Sequence, residues 1–170
     1  TMAAFKCKIC GASLEVTEGA TSVTCDYCRT QQTLPRLDDD RRANLYDRGN
    51  HFRRASEYDK AMRIFEQVLS EDANDAEAYW SIVLCRYGVE YVEDPATGRR
   101  IPTVNRMQAS SIMADEDYRQ ALAHADLVQR GIYESQAKEI AAIQEGIAEV
   151  AAKEDPFDVF ICYKETDAQG

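Results

Sequence analysis

Basic residues are scarce in this chain of 170 residues: 20 Lys and Arg stand against 30 Asp and Glu, and the net charge is −10. Non-specific affinity for nucleic acid depends on Lys and Arg that displace counterions from phosphates. The charge therefore excludes a protein that coats DNA or RNA.

Histidine is scarcer still, with two residues in the chain. Neither His51 nor His124 has a second histidine near it, and we expect both to be structural or surface residues.

Long apolar runs are also lacking. No segment approaches the roughly 20 apolar residues that span a bilayer. The first twenty residues have no basic flank followed by an apolar block and a small-residue cleavage site, which together mark a secretory signal. We therefore expect a cytoplasmic protein with no membrane partner. In that reducing compartment, clustered cysteines serve as metal ligands more often than as disulfides.

Cysteine is concentrated at the amino terminus, where the first 36 residues hold four of the six cysteines. Cys7 and Cys10 form one C-x-x-C pair, and Cys25 and Cys28 form another after fourteen intervening residues. Two such pairs at this separation are typical of a zinc site. We predict one zinc ion per chain, held by all four thiolates in a tetrahedron. A segment this short needs a metal or another crosslink to fold, because it cannot bury enough apolar surface for a stable core.

The sequence between the cysteine pairs alternates as strands do, over Leu14–Thr17 and Ser22–Thr24, with a bend at Glu18 and Gly19. Together with the cysteines, this pattern resembles the zinc-ribbon family over about 35 residues, and residues 1–36 form the first predicted domain. Cysteine fills all four ligand positions. Since a catalytic zinc keeps one position open for water or substrate, we predict a structural zinc.

The partner of the ribbon is less closely defined by its residues. Lys6, Lys8, Tyr27 and Arg29 could form a small patch for nucleic acid. Four thiolates outweigh the charge of one Zn²⁺, however, so the metallated ribbon is not basic. We expect the ribbon to contact protein or to cover the next domain, with nucleic-acid binding as the alternative.

Helical spacing dominates from residue 41 onward. Leu45, Gly49 and Phe52 share one face of a first helix. The facing stripe of a second helix consists of Tyr58, Ala61, Phe65, Val68 and Leu69. Small residues at 49 and 61 predict a close crossing of the two helices. This hairpin resembles the tetratricopeptide repeat, whose unit is 34 residues long.

A second repeat is expected from Asp75, interrupted by an insertion at about 91–105 and resumed at Tyr118, Ala121 and Ala125. We therefore predict a mostly α protein, with a tetratricopeptide-like helical domain over residues 37–154. Cys85 lies in an apolar helical run and is expected to be a buried small hydrophobe. The first helix is rich in arginine, and we expect a solvated face there. Its arginines are Arg41, Arg42, Arg48, Arg53 and Arg54.

Two local patterns concern helix ends. The run Asp38–Asp40 suits the amino terminus of the first helix, because carboxylates stabilise the positive end of the helix dipole.

The last helix is predicted over Ile132–Lys153, with an apolar stripe at Tyr133, Ile140, Ile143, Ile147 and Val150. This stripe covers only about two and a half heptads, fewer than a coiled coil needs. We favour a helix that covers the open face of the repeats, with a dimerising coiled coil or signalling stalk as the alternative.

The carboxyl-terminal residues 155–170 begin with Asp155-Pro156 and continue as Phe-Asp-Val-Phe-Ile-Cys-Tyr over 157–163. An apolar run between proline and a polar loop predicts a buried strand of a parallel sheet. The run resembles the first motif of TIR domains, with Cys162 at the place of a serine. The resemblance implies the start of a flavodoxin-like α/β domain, and we expect the natural chain to continue. TIR effectors assemble or cleave NAD with a glutamate on a later helix, so Glu165 is not assigned that role.

Zinc ribbon, helical repeats and TIR motif in this order resemble bacterial TIR-domain-containing proteins. The resemblance implies a non-catalytic regulatory or scaffold region, which mediates protein–protein interaction or self-association and so controls a TIR effector. We expect no catalytic residue in the region itself, although a complete protein could cleave NAD. Two alternatives remain: a nucleic-acid-associated zinc-ribbon protein and a stand-alone peptide-binding adaptor.

Overall fold

The computed structural model describes residues 2–36 and 40–153. Its helices are Asp40–Arg54 (α1), Tyr58–Glu71 (α2), Ala76–Arg86 (α3), Glu116–His124 (α4) and Leu127–Lys153 (α5), with a short 3₁₀ helix at Ile112–Ala114. Its strands are Met2–Lys6 (β1), Ser13–Thr17 (β2), Ser22–Thr24 (β3), Gln31–Thr33 (β4), Val89–Glu93 (β5) and Arg100–Val104 (β6). The prediction of a mostly α protein with small sheets is confirmed. The TIR-like motif, within residues 155–170, and the proposed helix-capping residues Asp38 and Asp39 lie outside the described residues.

Each cysteine pair lies in the turn of its own β-hairpin. β1 pairs antiparallel with β2, with Lys6 opposite Ser13, and β3 pairs antiparallel with β4, with Thr24 opposite Gln31. The predicted strands at 14–17 and 22–24 are therefore present, but the bend at Glu18 and Gly19 does not pair them. Each C-x-x-C turn reverses the chain, so each strand finds its partner across its own turn. The ribbon consists of two separate two-stranded sheets.

The predicted close crossing of α1 and α2 is present and depends on Gly49. A Cβ atom at this position would lie 2.6 Å from Cζ of Phe65, well inside van der Waals contact. Gly49, Ala61 and Phe65 are all buried at the crossing. Apolar residues at helical spacing therefore form the core between these two helices, as the periodicity predicts.

The segment expected as an insertion at about 91–105 contains most of a β-hairpin, in which Val92 of β5 lies opposite Ile101 of β6. Its tight turn is closed by the amide of Gly98, which donates to the carbonyl of Asp94 at 2.8 Å. After the hairpin, α4 has nine residues against fourteen in α2. Tyr118 and Ala121 are buried in α4, whereas Ala125 follows its last residue. A tetratricopeptide repeat thus stays a prediction for this part of the chain.

Helix α5 is the longest element, with 27 residues. Its first half packs against α4, the 3₁₀ helix and β6, and buries Tyr133, Ala137 and Ile140. Exposure then increases along the predicted stripe, and Val150 is 60% exposed. Most of the buried residues of α5 thus lie in its first half, and beyond them Oε1 of Gln144 still accepts from the amide of Ile112 at 2.9 Å. Among the described residues, no helix is long and apolar enough to cross a membrane.

One hydrophobic cluster joins the ribbon to the helices. It includes Phe5 and Leu14 from β1 and β2 and Leu34, which follows β4, together with Leu45 and Phe65 from α1 and α2. A second cluster lies around Trp80 of α3 and includes Tyr118 of α4 and Tyr133 of α5. The ribbon thus shares its core with the first helices, which places the cysteines directly against the helical body.

Candidate metal centre

The four predicted cysteine ligands come together in the structure. Sγ of Cys7 lies 3.8 Å from Sγ of Cys28, and Sγ of Cys10 lies 3.8 Å from Sγ of Cys25. All four sulfur atoms lie within 4.8 Å of one another. A tetrahedron with metal–sulfur bonds of about 2.3 Å has edges of about 3.8 Å. The cluster therefore has the size that a single tetrahedral metal ion requires, and it can hold one.

Both cysteine turns have the same backbone geometry. The amide of Gly11 donates to the carbonyl of Cys7 at 2.9 Å, and the amide of Arg29 donates to the carbonyl of Cys25 at 2.8 Å. Gly11 and Arg29 occupy the equivalent left-handed position, with φ of 79° and 61°. Glycine adopts this conformation freely, whereas arginine has a Cβ that makes it unfavourable. The second turn is therefore the more strained of the two.

Hydrogen bonds to sulfur orient the first turn. Sγ of Cys7 accepts from the amides of Ile9 at 3.4 Å and Cys10 at 3.5 Å. It also accepts from Nε2 of Gln32 at 3.0 Å, and Oε1 of Gln32 accepts from the amide of Lys8 at 3.0 Å. Gln32 is completely buried. Nothing in the local sequence indicates this role of Gln32, because a glutamine in a three-residue strand can contact many different partners.

The thiols differ in their acidity when no metal is bound. Burial raises the pKa of Cys7, but hydrogen bonds from the Cys10 amide, Gln32 and the Ile9 amide outweigh it, and the pKa falls to about 7. Burial raises the pKa of Cys10 to about 12, and burial also raises the pKa of Cys25. Since a thiol must lose its proton to ligate a metal, a cation is what allows these four groups to be thiolates together.

Lys8, between the ligands of the first turn, attaches the ribbon to the helical body. Its Nζ lies 2.7 Å from Oε1 of Glu77 in α3 and donates to Oγ1 of Thr33 at 2.8 Å. The other carboxylate oxygen of Glu77 accepts from the hydroxyl of Tyr133 in α5 at 2.7 Å. Lys8 is therefore not available to the small nucleic-acid patch that the alternative interpretation requires. Its side chain is directed at α3, where a buried carboxylate compensates its charge.

Two arginines of α1 bind the backbone of the same turn. Arg53 is buried and donates to the carbonyl of Lys8 and, at 3.2 Å, to the carbonyl of Val89. Arg54 donates to the carbonyl of Cys7 at 3.1 Å. The prediction of a solvated arginine face is wrong for these two residues, although Arg41 and Arg48 are exposed. Turn carbonyls that face α1 need donors, and arginine supplies several from one side chain.

Two histidines and the cysteine of α3 lie where the sequence predicts. His51 and His124 are exposed, and His124 stacks on Tyr79 with ring centroids 5.7 Å apart. Cys85 is completely buried in α3, and burial raises the pKa of its thiol to about 12. Cys85 is therefore an inert core residue.

A shallow groove of about 430 Å³ lies beside the start of α2, away from the cysteines. Its lining includes Asp59, Lys60 and Arg106. Arg106 pairs with Asp59 at 3.1 Å, and Lys60 pairs with Glu57 at 3.3 Å. The charged groups of the groove thus compensate one another and do not converge on a common point where a ligand would lie.

Comparisons of the chain with protein-family models, with curated proteins and with solved structures return no match. The zinc ribbon, the tetratricopeptide repeat and the TIR domain thus remain resemblances carried by sequence motifs. The cysteine cluster and the buried contacts around it are the structural observations on which a functional proposal can rest.

Proposed function

We propose that residues 1–154 are a non-catalytic scaffold region of a bacterial TIR-domain protein, held together at its amino terminus by one structural zinc ion. The observation that carries the metal site is the clustering of the sulfur atoms of Cys7, Cys10, Cys25 and Cys28, which all lie within 4.8 Å of one another. The proposal places the protein in the cytoplasm, where thiols stay reduced and available to a metal.

Zinc fits this donor set better than magnesium or calcium does. Four thiolates in a tetrahedron are ligands for zinc or iron, whereas oxygen ligands are preferred by magnesium and calcium. When bound, zinc would crosslink the two hairpins and leave no position open for water or substrate. The chain's own contribution is the orientation of Cys7, whose sulfur accepts three hydrogen bonds from Ile9, Cys10 and Gln32.

The helical body is the part that we propose to contact another protein or a second copy of the chain. The ribbon is fixed to α1 by Arg53 and Arg54 and to α3 by Lys8, so that ribbon and helices form one surface. Helix α5 starts on this body and is described as far as Lys153, and in the sequence the TIR-like motif begins at Phe157. A partner bound to the body would act on the effector through α5.

The proposal is tested on the full-length protein against a variant that lacks residues 1–154. We expect deletion to change both the distribution of oligomers, measured by light scattering after size exclusion, and the rate of NAD cleavage or other effector output. A full-length variant with the four cysteines replaced by alanine should resemble the deletion. Equal oligomer distribution and equal output in all three proteins would remove the scaffold role.

The nucleic-acid alternative is weakened by one observation. Lys8 is buried against Glu77, so the patch that could contact phosphates is reduced to Lys6, Tyr27 and Arg29. With a net charge of −10 on the chain, we expect no retardation of DNA or RNA in a gel at low salt. Salt-sensitive binding that is lost in Lys6→Ala and Arg29→Ala variants would restore the alternative.

A further inference from the structure

We propose that Glu77 and Tyr133, on α3 and α5, are positioning residues for the metal centre and set its affinity through Lys8. The inference rests on the proposed metal site and adds a second part: metal binding in the ribbon holds α5 against the helical body. Neither residue is a ligand, and both are far from the cysteines in sequence.

The first step is how firmly Lys8 is held. Its amide donates to Oε1 of Gln32, and the Nε2 of the same Gln32 donates to Sγ of Cys7 at 3.0 Å. Its carbonyl accepts from Arg53, and its Nζ reaches Glu77. The amide, the carbonyl and the ammonium of Lys8 thus each have a partner. Its neighbour Cys7 is one of the proposed ligands. A shift of Lys8 would move the Cys7 sulfur and its donor Gln32 together.

The second step is the cost of disturbing Glu77. The side chains of Lys8 and Glu77 are 3% and 2% exposed. A buried charge is tolerated only when it is paired and its remaining lone pairs are hydrogen-bonded. Oε1 of Glu77 is bound by Lys8 and Oε2 by the hydroxyl of Tyr133. Removal of that hydroxyl leaves one carboxylate oxygen without its donor and weakens the contact that positions Lys8.

The third step is reciprocity. If Tyr133 and Glu77 favour the arrangement of the first turn that binds metal, then bound metal must favour the same contacts of Tyr133 by an equal factor. Tyr133 is completely buried and belongs to the part of α5 that packs on the body. Metal binding in the ribbon would therefore stabilise the packing of α5 on the helical body, although α5 contributes no ligand.

The affinity test uses the full chain, Zn²⁺ and a chromophoric chelator as competitor. We expect Tyr133→Phe and Glu77→Gln to weaken Zn²⁺ binding about tenfold, in the range found for residues that support metal ligands. The matched control is Tyr118→Phe, because Tyr118 is also a buried tyrosine that packs on Trp80, at a centroid distance of 6.0 Å against 5.2 Å for Tyr133. Its affinity should equal that of the wild type.

Hydrogen exchange supplies the second readout. Removal of Zn²⁺ from the wild type should increase amide exchange over residues 133–141, and this increase should be smaller in Tyr133→Phe, where the coupling is already lost. Equal affinities in all variants, or an equal loss in Tyr118→Phe, would overturn the inference while leaving the metal site intact. A wild type that binds no metal would overturn the proposed metal site as well. Tyr133→Phe decides the test if Glu77→Gln does not fold.

Discussion

The ammonium of Lys8 lies 2.7 Å from the carboxylate of Glu77, and both side chains are buried although 69 residues separate them in the sequence. Lys8 belongs to the turn that carries two of the four clustered cysteines, and Glu77 belongs to the first turn of α3. Burial lowers the pKa of Lys8, and the neighbouring Glu77 opposes that effect. This ion pair therefore attaches the cysteine turn to α3, while Arg53 and Arg54 attach it to α1.

Loss of one partner of this pair should be costly. In Lys8→Met, the carboxylate of Glu77 stays buried without its counter-charge, and we expect the free energy of unfolding to fall by about 3–5 kcal/mol. Urea unfolding at saturating Zn²⁺ measures the change. The double variant Lys8→Met/Glu77→Gln carries no unpaired charge and should recover part of the loss. A double variant that is as unstable as the sum of both single variants would contradict a direct interaction.

The crossing of α1 and α2 allows a second test. Gly49→Ala places a Cβ atom 2.6 Å from the ring of Phe65, and we expect a loss of about 1–3 kcal/mol in thermal or urea unfolding. Gly146→Ala is the matched control, since nothing lies within 4 Å of its Cβ position in α5. The control should be neutral or more stable by up to about 1 kcal/mol, because alanine favours helix. Equal effects at both positions would contradict the close crossing.

Metal content distinguishes the cysteines of the cluster from Cys85. We expect one zinc per chain in the wild type and in Cys85→Ala, and loss of the metal in Cys28→Ala, as measured by elemental analysis after dialysis. Both cysteines are buried, so the pair controls for burial. A chelator should unfold the ribbon while most of the helical circular dichroism remains. A ribbon that stays folded without metal would contradict a structural zinc.

The affinity for metal should increase with pH. The pKa of Cys10 is raised to about 12 and that of Cys25 is also raised, so both are protonated near pH 7 in the metal-free protein and must release protons on binding. Cys7, with a pKa of about 7, loses its remaining proton over the same range. Calorimetry in buffers of different ionisation enthalpy measures the protons released. An affinity for Zn²⁺ that is constant between pH 6 and 8 would contradict thiolate ligation.

Local patterns predicted the parts of the fold that local physics controls. The spacing of the four cysteines predicted that they cluster, and helical periodicity predicted α1, α2 and α5 and the close contact of Gly49 with Phe65. The pairing of the ribbon strands could not be predicted in the same way. The alternation of apolar and polar residues in β2 and β3 is the same whether they pair with each other or with β1 and β4. The hairpin β5–β6 appeared in the sequence only as a break in helical spacing.

The sequence by itself determined the candidate metal ligands and the helical class of this protein, because C-x-x-C turns and amphipathic helices depend on residues a few positions apart. Only the tertiary structure decided that Lys8 and Arg53 are buried connectors rather than solvated cations. Burial of a charge depends on partners that approach from elsewhere in the chain, such as Glu77 for Lys8 and the carbonyls of Lys8 and Val89 for Arg53. No local spacing encodes such partners, so the charge of a side chain alone did not reveal where it lies.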